Sequence, residues 1–287
     1  MRARNRILLC VGVILVISLV ALCIFHATEK KTARVPVLMY HHLAEVCPEG
    51  QEGMTASTSS FRTQLEALKA QGYESITTRQ LVDFVENGVS LPKKPILITF
   101  DDGYTSNLTL GAPILQELGF CATIFVIGIN EGEEYYAHSG AVLDPPRFSF
   151  DEARPWVDAG VIDVQSHTYD FHQLESYGFS GRDGVLPLDG ETWEDYEAII
   201  RADDSAFRQR WEGHGLPELI ALAYPFGFCT PQVDELLADC GYLVTFTVQE
   251  HVNTVTEGDS ACLRMMGRFD MRDDLTPEQI LERISTQ

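Results

Sequence analysis

Residues 96–107 read ILITFDDGYTSN. Ile96, Leu97, Ile98 and Thr99, followed by Phe100, make a short buried-strand pattern that stops at two adjacent carboxylates and a glycine. In an α/β fold the loops at the carboxyl ends of the strands carry the site, so Asp101 and Asp102 stand where chemistry belongs. Taken alone, Asp101-Asp102-Gly103 also reads as a polar turn in which glycine supplies a positive φ. The flanking sequence decides between the two.

On either side, strand and helix patterns alternate. Residues 37–40 read as a strand ending at His41-His42, residues 73–76 as a short strand, and residues 122–127 (ATIFVI) as an apolar strand buried on both faces. Residues 161–164 end at the polar run 165–172 (QSHTYDFH), residues 219–223 end at Tyr224-Pro225-Phe226-Gly227, and residues 242–248 form a last strand. Helices are expected over 58–72, capped by Ser59 or Ser60, and over 78–87, 108–118 (despite Gly111 and Pro113), 149–159, 193–211, 231–239 and 277–284. Residues 130–146 and 176–190 read as glycine-rich loops. About seven βα units, with neither G-x-G-x-x-G nor a P-loop, predict an α/β fold: a distorted (β/α) barrel of about seven strands.

Charge is unevenly distributed. The chain of 287 residues has a net charge of −21, yet residues 1–34 hold six basic residues and one acidic. Residues 35–287 therefore carry 15 basic against 41 acidic residues, a net of −26. Such a surface repels phosphate backbones, so no nucleic-acid partner is expected, and a neutral or cationic polymer fits better than a polyanion. After a basic n-region (1–6), residues 7–25 form an uncharged apolar run of 19 residues, long enough to cross a hydrocarbon core. The arginines favour an amino terminus kept inside, and no A-x-A pattern ends the run. The expectation is one N-terminal transmembrane signal anchor (7–25), a linker (26–34) and a single domain (35–287), held at the cell membrane by a single pass and extracytoplasmic. Oligomeric state is not legible. Cys47, Cys121, Cys229, Cys240 and Cys262 show no C-x-x-C spacing; a Cys229–Cys240 bridge is one arrangement their flanking of a helix allows.

Three polar clusters thus fall at three strand ends: Asp101-Asp102, His167 with His172, and Tyr224-Pro225-Phe226-Gly227. On a barrel those ends face one another. One carboxylate and two imidazoles suit a divalent, zinc-like ion with open positions. The second carboxylate is then free to accept a proton from the attacking water, whose pKa the ion lowers toward about 7. Each histidine taken singly also reads as a hydrogen-bonded core residue.

Thr99-Phe100-Asp101-Asp102-Gly103, Ser166-His167-Thr168 with His172, the Tyr-Pro-Phe-Gly turn and the opening 37–41 (VLMYH) resemble the polysaccharide deacetylase family (NodB-homology domain, carbohydrate esterase family four) over nearly all of residues 35–270. The resemblance implies metal-dependent removal of N-acetyl groups from a polysaccharide substrate of N-acetylglucosamine type, such as peptidoglycan or an exopolysaccharide. It implies Asp101 as general base, Asp102, His167 and His172 as ligands of a divalent metal, zinc foremost, and the Phe226 backbone N–H as an oxyanion donor.

Three departures stand out. His172 lies five residues after His167 where the family's usual spacing is four, and an i, i+5 pair does not stack on a regular helix. Ala223 stands where the family often has an arginine that orients the base. Residues 263–271 contain no histidine to act as general acid, which leaves His41, His42 and His251 as substitutes, with Arg268 a candidate for the missing positive charge and Tyr224 an accessory residue. Amide hydrolysis needs an acid for the leaving amine. An O-acetyl esterase with a better leaving group, and a glycan-binding protein with impaired turnover, are accordingly the alternative functions.

Overall fold

The structure, a computed structural model, describes residues 30–286. Its sheet follows from the apolar runs: β1 (Val37–Tyr40), β2 (Pro95–Phe100) and β3 (Ala122–Val126) are buried at every residue, as parallel strands covered on both faces must be. With β4 (Ile162–Ser166), β5 (Ala221–Ala223), β6 (Val244–Phe246) and β7 (Phe269–Asp270) they form one parallel path in the order β6-β5-β4-β3-β2-β1-β7. The two-residue strand Glu74–Ser75 pairs with the start of β2. Six of the seven strands on this path are those the alternating pattern predicts; the strand expected at 73–76 is instead a short side partner of β2.

The ends of the path meet at a narrow seam. Phe246 bridges to Met266, and Met266 exchanges 2.8 Å backbone hydrogen bonds with Thr245 and Thr247 just before the chain enters β7. Gly267 makes this approach feasible, since a Cβ there would stand 2.4 Å from the Gln249 carbonyl oxygen. The seam, and β7 itself, are not visible in the sequence pattern of residues 263–271.

Helices α1 (Thr58–Ala70), α2 (Thr78–Asn87), α3 (Ala112–Leu118), α4 (Phe150–Asp158), α5 (Trp193–Trp211), α6 (Pro231–Asp239) and α7 (Pro277–Thr286) follow the expected segments. The α1 cap is Ser57, whose Oγ accepts from Ser60 N at 3.2 Å, rather than Ser59 or Ser60. Ahead of α3, residues Asn107–Gly111 form a π turn. Pro113 has no N–H to give and crowds the carbonyl four residues back, so the turn widens there.

Strand register sets the rim. Tyr40 pairs with Phe100 and Phe100 with Ile124, while β3 runs on to Val126, which pairs with Ser166, itself paired with Leu222, so the ends of β1 to β5 gather at one rim with β3 to β5 reaching slightly further. His41, Asp101 and His167 each follow one of those last residues. The transmembrane anchor expected over residues 7–25 lies outside the described residues; among the described residues no helix is long and apolar enough to cross a membrane. The described cysteines, Cys229 and Cys240 included, are all free thiols.

Candidate active site

The stretch that begins the sequence argument also begins the site. At the end of β2 the backbone turns through Asp102 at φ 73° and Gly103 at φ 72°, and a Cβ on Gly103 would meet both Val126 methyls at 3.2 Å. Thr168 (φ 67°) and Phe226 (φ 58°) show the same left-handed geometry after β4 and β5. Three of the four non-glycine residues with positive φ among the described residues thus sit at the barrel mouth, and strain of this kind is held only where surrounding structure over-determines it.

Asp102, His167 and His172 converge. Their ligating atoms lie within 4.8 Å of one another, with Asp102 Oδ1 3.2 Å from His172 Nε2 and 3.6 Å from His167 Nε2. Asp102 Oδ1 is buried without a hydrogen-bond partner, a costly state for a carboxylate oxygen that a cation would relieve. The His167 ring places Nδ1 2.8 Å from the Ala223 carbonyl. A carbonyl only accepts, so Nδ1 carries the proton and Nε2 offers its lone pair to the cluster. Burial pushes the His167 pKa down to about 4, so the ring is neutral at pH 7. One carboxylate and two imidazoles fit a divalent ion of the zinc class.

The i, i+5 spacing now has a physical account. Residues 167–172 are not helical; Asp203 of α5 instead accepts from the backbone N–H groups of Tyr169 and Asp170 at 2.9 and 2.8 Å. The loop thereby folds back on α5 and returns His172 beside His167, ring centroids 5.2 Å apart.

Asp101 is anchored from a part of the chain that motif reading left undecided. Arg268, fully buried, grips both carboxylate oxygens, Nη1 to Oδ1 at 2.6 Å and Nη2 to Oδ2 at 2.8 Å, while its Nε donates to the Thr247 carbonyl. Burial opposes ionisation of Asp101, but Arg268, His167 and His41 outweigh it and hold the carboxyl below the usual range. Arg268 therefore occupies the electrostatic place that Ala223 leaves vacant, and only the seam before β7 brings it there.

The remaining candidates separate. His41 lines the same cavity as Asp101 and Asp102, its Nδ1 buried without a hydrogen-bond partner, and its carbonyl is fixed by Asn107 Nδ2 at 2.7 Å. His42 packs on the Tyr104 ring, and His251 is exposed against the seam glycine. Neither lines the cavity. Tyr224 is buried and donates to Asp234 Oδ1 at 2.6 Å, a core contact. Phe226 does line the cavity, its ring 4.5 Å from that of His172. Arg147, which no motif marked, stacks on Tyr104 at 3.7 Å and also lines it.

The family profile described as polysaccharide deacetylase matches residues 88–245. The chain belongs to the polysaccharide deacetylase family. The Bacillus subtilis protein YxkH is 28% identical over 145 residues, which are 50% of this chain and 46% of that protein, so this chain spans less than half the length of that relative. The poly-β-1,6-N-acetyl-D-glucosamine N-deacetylase of Staphylococcus epidermidis is 24% identical over 225 residues, 78% of this chain and 72% of that protein. Among solved structures, IcaB from Ammonifex degensii superposes with a TM-score of 0.70 at 26% identity, covering 88% of this chain and 97% of that one.

Proposed function

We propose that this polysaccharide deacetylase is a metal-dependent hydrolase that removes N-acetyl groups from an N-acetylglucosamine polysaccharide outside the cytoplasm. The observation that carries the reading is the pairing, inside one cavity, of an arginine-clamped carboxylate with an unsatisfied Asp-His-His cluster. Similarity to the staphylococcal enzyme favours a poly-N-acetylglucosamine exopolysaccharide over peptidoglycan. The apolar run of residues 7–25 supports a membrane anchor with the domain on the outer side.

Asp102, His167 and His172 would hold the ion, and a divalent cation there would supply Lewis acidity toward the attacking water and the amide carbonyl. Asp101 accepts the proton as the water oxygen bonds to the acyl carbon. Arg268 positions both Asp101 oxygens and keeps the carboxyl ionised, ready to accept that proton. The Phe226 N–H donates to the developing oxyanion. His41, the cavity-lining histidine with an unpaired nitrogen, donates the proton that lets the C–N bond break, and acetate and a free amine leave.

Acetate release from N-acetylglucosamine oligomers, poly-N-acetylglucosamine and peptidoglycan by the full chain in detergent, before and after chelation and zinc return, tests this reading. The expected result is zinc-dependent release, greatest on the exopolysaccharide. Release from O-acetylated glycans alone would make the protein an esterase, and zinc binding without any release would make it a glycan-binding protein. Protease accessibility of the domain in intact cells tests its location; protection by a sealed inner membrane would overturn the outward orientation.

A further inference from the structure

We infer that Arg147 and Tyr104 are positioning residues for Asp102: the guanidinium holds the Tyr104 ring, and the ring holds the Asp102 carboxylate in the pose that leaves Oδ1 open to the cluster. The inference rests on the metal reading above and concerns residues outside its ligand set. Backbone pairing supplies the frame. Phe148 N donates to the Gly103 carbonyl at 3.1 Å, Thr105 N donates to the Pro146 carbonyl at 2.9 Å, and between them Tyr104 and Arg147 form an antiparallel bridge. The turn after Asp102 is thus tied to the segment that leads into α4. Asp102 itself stands at φ 73°, a conformation that needs such outside support.

The side chains continue this frame. The Arg147 guanidinium lies 3.7 Å over the centre of the Tyr104 ring, and both residues are more than nine-tenths buried. Arg147 Nη1 donates to the Pro145 carbonyl at 2.6 Å, while its Nε is buried with no partner. Arg268 closes on a carboxylate at two points; the Arg147 hydrogen bond goes to a neutral carbonyl instead. A buried cation is costly unless something nearby compensates its charge. What faces Arg147 is the negative face of the Tyr104 ring, with the Asp102 carboxylate beside it.

Charge links the three groups. Burial foremost, and then the Asp102 carboxylate, raises the Tyr104 phenol, which therefore keeps the proton that it offers to that carboxylate. Burial opposes the Asp102 charge in turn, but His172, His41, His167 and then Arg147 outweigh it and hold the carboxyl low. Asp102 Oδ1 is left without a hydrogen-bond partner, 3.2 Å from His172 Nε2 and 3.6 Å from His167 Nε2. A carboxylate anchored from behind presents its free oxygen in one direction, which is what tight cation binding requires.

Zinc affinity of the full chain in detergent, measured by competition with a chromophoric chelator, tests the clamp. Tyr104→Phe keeps the ring and removes the hydroxyl. Its zinc dissociation constant should rise about tenfold, the lower end for groups that hold a metal ligand from behind, while the metal-free melting temperature stays at the parent value. Arg147→Met keeps an apolar stem and removes the cation, and should weaken zinc similarly. In Tyr104→Phe/Arg147→Met the loss should fall well short of the product of the two single losses, because both run through one carboxylate. Unchanged zinc affinity in Tyr104→Phe overturns the inference, and so does a double variant whose loss equals that product. A zinc loss in Tyr104→Phe matched by a lower metal-free melting temperature also overturns it, since the pair would then only support the fold. A parent chain that binds no zinc sinks the metal reading and the clamp with it; a parent that binds zinc beside an unaffected Tyr104→Phe sinks the clamp alone.

Discussion

Asp163, midway along β4, and the Asp101-Asp102 pair, just past the end of β2, are all buried carboxylates, yet their surroundings drive them in opposite directions. Asp163 meets neutral donors, Thr78 Oγ1 at 2.7 Å and Gln165 Nε2 at 3.1 Å, and burial raises its pKa despite them. Gln165 completes the network by accepting from the backbone of Ile220 and Ala221, tying β4 to the chain entering β5. At the mouth burial acts the same way, but Arg268, His167 and His41 outweigh it at Asp101, and His172, His41 and His167 outweigh it at Asp102, so both carboxyls are lowered. The mouth also holds the unpaired Asp102 Oδ1 and His41 Nδ1 and the left-handed backbone at Asp102, Thr168 and Phe226. A satisfied neutral network is architecture, whereas unsatisfied, charged and strained groups gathered at one rim are arranged for a ligand.

The contrast breaks most readily at the mouth. Asp101→Asn should lower acetate release by about 10²- to 10⁴-fold, the range for a general base, while bound zinc stays near one equivalent; Asp102→Asn should lose zinc as well. Undiminished zinc in Asp102→Asn, by metal analysis, would remove that residue from the ligand set.

Next in size is Arg268→Met. Taking one partner from a fully buried pair costs about 3–5 kcal/mol, measurable by urea unfolding at pH 7. Asp101 is depressed in the fold, so its contribution to stability is present above its unfolded pKa and lost as pH falls through the folded value. The variant loses that contribution, and the acid limb of its pH–rate profile should move to higher pH. An unmoved limb would detach Arg268 from the base.

Asp203 lies between the two regimes. It is buried, and burial raises its pKa to about 7, with Asp170 and Asp204 adding to the effect against the two backbone donors. A carboxyl raised in the fold contributes fully below its unfolded pKa and loses that contribution as pH rises through about 7. Melting temperature should therefore fall from pH 6 to pH 8 more steeply in the parent than in Asp203→Asn. Asp203→Ala, which strands two buried N–H groups, should cost about 2 kcal/mol and weaken zinc binding by releasing the His172 loop. Parallel melting curves in the parent and Asp203→Asn would refute the assignment.

Asp163→Asn should do least, within about 1 kcal/mol at pH 7 and with acetate release unchanged, because the amide retains neutral partners and sheds the charge that burial penalises. A large loss of activity there would erase the distinction between the two regions.

Much of this was legible in residue order. Strand ends at Asp101, His167 and Tyr224 follow from apolar runs that stop abruptly, and α2, α5 and α6 begin and end where capping and periodicity place them. Local rules suffice for these elements because their hydrogen bonds close within a few residues. The α1 cap escaped because Ser57, Ser59 and Ser60 are equivalent as letters, and only the bond from Ser57 Oγ to Asp273 Oδ1, 216 positions away, distinguishes one. The His167–His172 spacing looked irregular for a similar reason: its determinant, Asp203, lies on a different element.

Residue types, their order and their distance from strand ends were enough to determine a parallel α/β barrel with a carboxylate-imidazole site at its mouth, since those features depend on local periodicity and on which side chains can bind a cation. The partner of Asp101, and the placing of His41 but not His42 or His251 in the cavity, were decided by tertiary structure alone. Arg268 reaches Asp101 from 167 positions away, through a seam held by one bridge and opened by one glycine. No periodicity encodes such a contact, because it exists only once the barrel has curled its last strand back beside its first.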